Sequence, residues 1–246
     1  MQALCKKAKG VGHMELVDAE TPEPAAGEVQ IAVQAAGICG TDIHIAHDTF
    51  PYNPPVILGH EFCGVVSRVG DNVTNYAEGD PVMAETTTTL CGTCPACQEG
   101  RTNHCLSRTA YGIHVNGGFA EHVVVGQASV HPLPPNVDYV MGAMTEPLAV
   151  CVRALCERFQ VSAGQVVLVQ GPGPIGLLSA MVAKAHGATV VVTGVARDKP
   201  RLELARSLGV DLVVQVDNED LQDSVKPLCA ARGGVDVAVE ASGATP

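Results

Sequence analysis

Hydrophobic positions along this chain follow two different rhythms. Up to about residue 150 they come in short runs broken by turn residues. Val29-Gln30-Ile31-Ala32-Val33-Gln34 alternates apolar and polar, the period of a half-buried strand. Residues Cys63-Gly64-Val65-Val66-Ser67-Arg68-Val69-Gly70 and His122-Val123-Val124-Val125 are β-branched runs beside glycine or polar residues, and they predict two more strands. Prolines at 22, 24, 51, 54, 55, 132, 134 and 135 punctuate the segments and exclude long helices. This half predicts mostly β structure.

The rhythm changes at residues 142–158, where Gly142-Ala143-Met144-Thr145-Glu146-Pro147-Leu148-Ala149-Val150 leads into a helical pattern over Val152–Cys156. Strands and helices then alternate. Strands are predicted at Val166–Gln170, Thr189–Thr193, Leu212–Val216 and Val235–Val239, with helices around Ile175–His186, Arg201–Leu208 and Leu221–Ala231. Apolar strands alternating with amphipathic helices imply right-handed βαβ units on a parallel sheet. A complete doubly wound domain of this kind has six strands in the order 3-2-1-4-5-6. Four are found here, so the sheet is expected to be unfinished, with Val235–Val239 as an apolar edge. The expected class is therefore α/β with two domains, a β-rich one over 1–150 and a partial parallel-sheet domain over 151–246.

Composition narrows the field. A chain of 246 residues is long enough for two modest cores, and 46% hydrophobic with 17% charged residues describes a folded globular protein. A formal charge of -11 argues against nucleic acid as a partner, since phosphates need clustered Lys and Arg. The start, Met1-Gln2-Ala3-Leu4-Cys5-Lys6-Lys7, leads into mixed polar sequence without a secretory core, and no apolar stretch reaches the length of a membrane span. With no export signal, ten cysteines are read as reduced thiols of a cytoplasmic protein.

The candidate chemistry lies in three places. Cys91, Cys94, Cys97 and Cys105 follow the pattern C-x2-C-x2-C-x7-C, and four thiolates fill the closed tetrahedral shell of a structural zinc. Their loop contains Gly92, Pro95 and Gly100 and has little core to fill. Upstream, Cys39 lies between Gly37 and Gly40, and His60 between Gly59 and Glu61, each after a strand-like segment. Taken alone, such a pair is a packed thiol and a hydrogen-bonded histidine. In this setting it becomes a candidate catalytic zinc site, which keeps three protein ligands and one open position. The third ligand is Glu146 or Glu61. Thr41 and His44 are placed to carry a proton away from such a site, and Asp42 either orients a ligand or caps a turn.

The third place is the glycine turn Gly171-Pro172-Gly173-Pro174-Ile175-Gly176, which ends one predicted strand and opens a helix. That context lets backbone approach a pyrophosphate at the helix N-terminus. At the end of the second strand, where a ribose-binding acid usually stands, the residue is Gly194. The nearest acid, Asp198, reads as a helix N-cap. Arg197, Lys199 and Arg201 lie close by and favour room for a 2′-phosphate, so NAD and NADP both remain open.

With these residues assembled, the chain resembles the zinc-containing medium-chain dehydrogenase/reductase family, nearest its polyol (sorbitol or L-iditol) dehydrogenase branch, with threonine dehydrogenase close by. The matching stretches are Gly37-Ile38-Cys39-Gly40-Thr41-Asp42-Ile43-His44, Leu58-Gly59-His60-Glu61, Gly70-Asp71-Asn72-Val73, the four-cysteine lobe, Gly117-Gly118-Phe119-Ala120-Glu121, Thr145-Glu146-Pro147-Leu148-Ala149 and the Gly171–Gly176 turn. They span nearly the whole chain in the family's order.

The resemblance implies a GroES-like catalytic domain followed by a Rossmann domain, with the active site in the cleft between them. It implies two zinc ions per chain. One is structural, on Cys91, Cys94, Cys97 and Cys105. The other is catalytic, on Cys39, His60 and a glutamate: in the polyol branch Glu61 can ligate directly, while Glu146 ligates directly or through water. Thr41 and His44 fall on the family's proton relay. NAD or NADP would rest on Gly171, Gly173, Pro174, Ile175 and Gly176, with Gly194, Arg197 and Arg201 beside the ribose. The implied reaction converts a polyol-like secondary alcohol to its ketone. The alternatives are an L-threonine 3-dehydrogenase-like activity or a catalytically silent zinc- and nucleotide-binding protein. Family members continue beyond the last residue here, and at full length they imply a homo-oligomer, dimer or tetramer.

Overall fold

The Val29–Gln34 alternation becomes the middle of a curled antiparallel sheet in the computed structural model, which describes residues 1–230 and 233–243. The chain divides into two units, Met1–Glu146 and Pro147–Pro246. The first runs β1 (Gln2–Lys6), β2 (Met14–Asp18), β3 (Glu28–Gly37), α1 (Gly40–Ala46), β4 (Val56–Ile57), β5 (Glu61–Val69), β6 (Pro81–Ala84), β7 (Thr87–Thr89), α2 (Pro95–Gln98), β8 (Thr109–Ala110), β9 (His122–Gly126), β10 (Val130–Pro132) and α3 (Tyr139–Ala143).

Its main sheet has the order β10-β6-β5-β3-β9. Val29 and Ile31 on β3 point into a core with Phe62, Val66, Val82, Val123 and Val125. Burial of side chains this size stabilises by about 1.5–3 kcal/mol each. Gln30 departs from the simple alternation. It is also buried, and its amide donates to the Pro22 carbonyl while its oxygen accepts from the Ser67 hydroxyl. A polar residue at that depth is tolerated because both ends of its amide are paired. The β3–β5 register pairs Gly37 with Glu61 and Ala36 with Phe62. That register decides where the candidate ligands fall.

The second unit follows the alternation predicted for it. Helix α4 (Thr145–Val152) leads in, followed by β11 (Val166–Gln170), α5 (Pro174–Ala185), β12 (Thr189–Gly194), α6 (Lys199–Ser207), β13 (Leu212–Gln215), α7 (Leu221–Cys229) and β14 (Val237–Glu240). All three ladders are parallel, in the order β13-β12-β11-β14, which is the 3-2-1-4 portion of the doubly wound order. Val167, Val169, Val190 and Val192 are buried with Leu178, Ala183 and Leu202. Strand β14 is an edge of this sheet, with Val237 and Val239 half-buried.

Several boundaries differ from expectation. The helix expected over Val152–Cys156 begins at Thr145, because Pro147 sits in its first turn, where a missing N–H has no cost. It then loosens into a π-helix over Arg153–Arg158. Strand β14 starts two residues late; Asp236, just ahead of it, donates its N–H to the Val166 carbonyl while its carboxylate accepts the Val166 N–H. The expected end of α7 at Ala231 lies outside the described residues. Among those described, no helix is long and apolar enough to cross a membrane.

Candidate active site

Strand β3 delivers Cys39. The strand ends at Gly37, and Cys39 then becomes the N-cap of α1 in extended conformation. His60 and Glu61 arrive from the other side, at the start of β5. Because the register sets Gly37 opposite Glu61, Cys39 and His60 emerge from neighbouring strand ends. The thiol, the imidazole and the Glu61 carboxylate place their ligand atoms within 4.8 Å of one another.

Two further residues lock the arrangement. Asp42 is buried, and its carboxylate accepts the Cys39 N–H at 2.9 Å and the Gly59 N–H at 3.3 Å, joining the loops that carry Cys39 and His60. Gly37 matters for its missing side chain. A Cβ there would lie 2.3 Å from the Glu61 carboxylate oxygen. The loop before His60 turns through Gly59 at φ +89°, against the ring of Phe119. Gly117, Gly118 and Phe119 donate backbone hydrogen bonds to Ile57, Gly59 and Leu58 in turn. The Gly-Gly-Phe motif therefore supports the His60 loop from behind.

Glu146 lies outside this trio. Its carboxylate accepts from the Thr86 hydroxyl at 2.7 Å, yet its charge still acts on His60 and Glu61. Thr86 carries no recognisable motif, and nothing in its sequence context points to it. Thr41 and His44 are three residues apart on α1 and so share a face, with His44 exposed and its Nδ1 3.2 Å from the Thr49 hydroxyl.

The electrostatics are those of a crowded anionic site. Burial pushes the Asp42 carboxyl above its usual range, against the opposing pull of His60 and two N–H donors. Burial also raises Glu61, and the Glu146 charge reinforces it. For His60, burial acts downward, but the Cys39 hydrogen bond and the charges of Asp42, Cys39 and Glu146 outweigh it and hold the ring up. His60 Nδ1 is buried with no hydrogen-bond partner, 3.6 Å from an Asp42 oxygen. A soft thiolate, an imidazole and a carboxylate, converging with a buried nitrogen left unpaired, form a donor set that fits zinc.

The cysteine lobe fits a second ion. Sγ atoms of Cys91 and Cys105 are 3.6 Å apart and those of Cys91 and Cys97 3.9 Å. Tetrahedral zinc–sulfur bonds of about 2.3 Å require sulfur separations of roughly 3.7 Å. The N–H groups of Cys94 and Thr93 bring the Cys91 thiol down to about 6, while Cys97, half-buried and bonded to its neighbours, is pushed up to about 12.

In the second unit the glycine turn has three distinct geometries. Gly171 adopts φ +100°, and a Cβ on it would meet Ser242 backbone at 2.5 Å. A Cβ on Gly176 would stand 1.9 Å from the Gly171 carbonyl, so helix α5 packs directly on the turn. Gly173 faces open space, with nothing within 4 Å of its Cβ position, and caps α5 ahead of Pro174. These match the tight turn, the close approach for a phosphate and the helix–strand packing that a dinucleotide turn needs. A cavity of about 610 Å³ opens there, lined by Gly171, Gly173, Gly194, Arg197, Arg201 and Ser242 among others. Pro174 and Ile175 form the first turn of α5 beside it, and Gly176 is buried beneath. Asp198 does not cap α6 with its side chain. Its carboxylate turns back to accept the Val195 N–H at 3.1 Å.

Comparison with known proteins agrees with both units. Residues 25–135 match the alcohol dehydrogenase GroES-like domain, and residues 174–246 match the zinc-binding dehydrogenase family. Sorbitol dehydrogenase of Halalkalibacterium halodurans is 42% identical over 100% of this chain and 71% of its own length. D-arabitol-phosphate dehydrogenase of Enterococcus avium is 41% identical, over 100% and 70%. A protein of Sinorhizobium meliloti 1021 described as a zinc-binding dehydrogenase, solved bound to NADP, superimposes with a TM-score of 0.91 at 38% identity, covering 99% of this chain and 70% of that one. On the donor sets, the glycine turn and these likenesses together, this chain belongs to the zinc-binding alcohol dehydrogenase family, with a GroES-like domain followed by a Rossmann-type parallel sheet.

Proposed function

We propose that this protein oxidises a polyol-like secondary alcohol to the corresponding ketone, using zinc and NAD or NADP. The observation that carries the reading is the convergence of Cys39, His60 and Glu61 within 4.8 Å, with a buried imidazole nitrogen left unpaired. Cys39, His60 and one glutamate hold the catalytic metal. Glu61 is the nearer candidate, and Glu146, held on Thr86, is the alternative. When bound, zinc supplies the Lewis acid that makes an alcohol hydroxyl acidic near neutral pH, and the nicotinamide supplies the hydride acceptor. Thr41, two residues from Cys39, receives the hydroxyl proton and hands it toward His44, whose exposed ring releases it to water. Asp42 keeps both ligand loops in place.

The turn at Gly171, Gly173 and Gly176, with Pro174 and Ile175 opening α5, holds the pyrophosphate through backbone N–H groups. Gly194, Arg197 and Arg201 form the ribose end of that cavity. The cysteine lobe holds the second, structural zinc. The polyol class is supported by the names of the two relatives, one acting on sorbitol and one on an arabitol phosphate. All ten cysteines are free thiols, which suits a reducing cytoplasm.

The test is NAD(P)H formation by the zinc-loaded protein with sorbitol, arabitol, arabitol phosphate and L-threonine offered separately. Reduction driven by one of the polyols supports the reading. Zinc-loaded protein that reduces no nucleotide with any polyol, or turns over threonine alone, overturns it.

A further inference from the structure

The cysteines of this chain fall into distinct environments. Cys5, Cys63, Cys151 and Cys229 are buried, while Cys39, Cys91, Cys94, Cys97 and Cys105 stand in the two candidate metal clusters. Cys156 belongs to neither group. It is half-buried, and once both clusters hold their ions it is the one thiol, among the described residues, left free and within reach of solvent.

Cys156 does not stand alone. It lies in the π-helix Arg153–Arg158 and packs against the core of the second unit, which anchors it. Its Sγ is 3.5 Å from Nε2 of His186, an exposed residue that directly follows α5. The other ring nitrogen, Nδ1, is 2.9 Å from the Val182 carbonyl. A carbonyl only accepts, so Nδ1 carries the hydrogen, and the neutral ring turns the lone pair of Nε2 toward the thiol. Thiol, imidazole and carbonyl thus stand as nucleophile, base and the group that orients the base, the arrangement that activates a cysteine. None of the three belongs to a metal cluster or lines the nucleotide cavity.

We propose that Cys156 and His186 form a modification site, a nucleophilic thiol that exchanges with low-molecular-weight disulfides to give a mixed disulfide. His186 Nε2 accepts the Cys156 proton, and the thiolate attacks one sulfur of the incoming disulfide. The new Sγ–S bond forms as the S–S bond of the reagent breaks. The second sulfur leaves as a thiolate and takes the proton back from His186. Cys156 is oxidised and the departing thiol is reduced, so no further oxidant is required. Excess thiol reverses the exchange. The site stands apart from the alcohol oxidation proposed above.

The test is oxidised glutathione offered to the zinc-loaded protein, with the rate followed by intact mass and the modified residue mapped by peptide mass spectrometry. A single glutathione per chain is expected, on Cys156, with the zinc content unchanged. Cys156→Ser should remove the label altogether. His186→Gln, which keeps a polar side chain but no base, should slow labelling by about tenfold or more. Imidazole added to His186→Gln should restore part of that rate, which it would not do for a residue that only supports the fold. Thermal midpoints of both variants should match the parent. No label, a label mainly on any other cysteine, or equal rates in the parent and His186→Gln would overturn the inference. A label on Cys91, Cys94 or Cys97 with loss of zinc would overturn the metal reading of the lobe as well.

Discussion

The two candidate metal-ligating clusters of the first unit are built on opposite principles. The lobe draws Cys91, Cys94, Cys97 and Cys105 from one short loop, with a four-residue helix and mostly exposed side chains. Little besides the ligands themselves keeps it in shape. Cys39, His60 and Glu61 come instead from two strand ends brought together by the β3–β5 register, and His60 is 4% and Glu61 7% exposed. A local cluster depends on its ion for its fold. A cluster assembled by a sheet has its geometry from the core, and the ion adds charge compensation and chemistry.

That contrast can be broken most forcefully at the lobe. Cys97→Ser is expected to abolish the hydrogen-exchange protection of residues 91–105, by about 10³-fold or more, since structural zinc in small sites contributes on the order of 10 kcal/mol of folding energy. Protection across β3 and β5 should be retained. If the main sheet lost protection together with the lobe, the two clusters would share one source of stability and the contrast would fail.

Next in size is Gly37→Ala, which probes the sheet-built site without replacing a candidate ligand. The added methyl overlaps the Glu61 carboxylate and should push it off its position. Metal affinity at that site is expected to fall by about 10–100-fold, as for other residues that orient ligands from behind. The lobe should keep its ion and circular dichroism should be unchanged. Unaltered affinity, measured by competition with a chromophoric chelator, would mean that Glu61 is not held where the register places it.

The smallest effect is expected in the second unit, at Asp211. Lys184 and the Val190 N–H together hold its carboxyl below the usual range, against the upward push of burial. A depressed folded value gives stability that is present above the unfolded value of 3.8 and is lost as pH falls through the lower folded one. The pair is about one-third exposed, so screening reduces its worth. Asp211→Asn should therefore cost about 0.5–1 kcal/mol near neutral pH and nothing once the parent carboxyl is protonated. Denaturant unfolding at pH 7 and near pH 2 checks this, and a cost that persists in acid would assign the effect to something other than the charge.

Legibility followed the same division. The lobe was readable from cysteine spacing because its ligands are neighbours in sequence. In the second unit, β11 falls where its apolar run predicts, and α5, β12, α6 and β13 lie within two residues of expectation, because βαβ alternation is a short-range pattern. Helix α1 was not legible: it is seven residues long and Ile43 on it is half-exposed, so no apolar stripe marks it. The π-helix at Arg153–Arg158 has no periodic signature either. The sheet-built site is long-range. Cys39 and His60 are marked by their glycine-flanked setting and by the family resemblance, while the pairing of Gly37 with Glu61, the bridge made by Asp42 and the bond from Thr86 to Glu146 depend on tertiary pairing that residue order does not display.

The account rests above all on the claim that the buried trio is a metal site in its own right, separate from the lobe. Elemental analysis of the purified protein and of Cys39→Ser tests it directly. Two equivalents of zinc per chain, one for each cluster, should fall to one in the variant with the fold intact. One equivalent in both proteins, or two retained after Cys39→Ser, would contradict it.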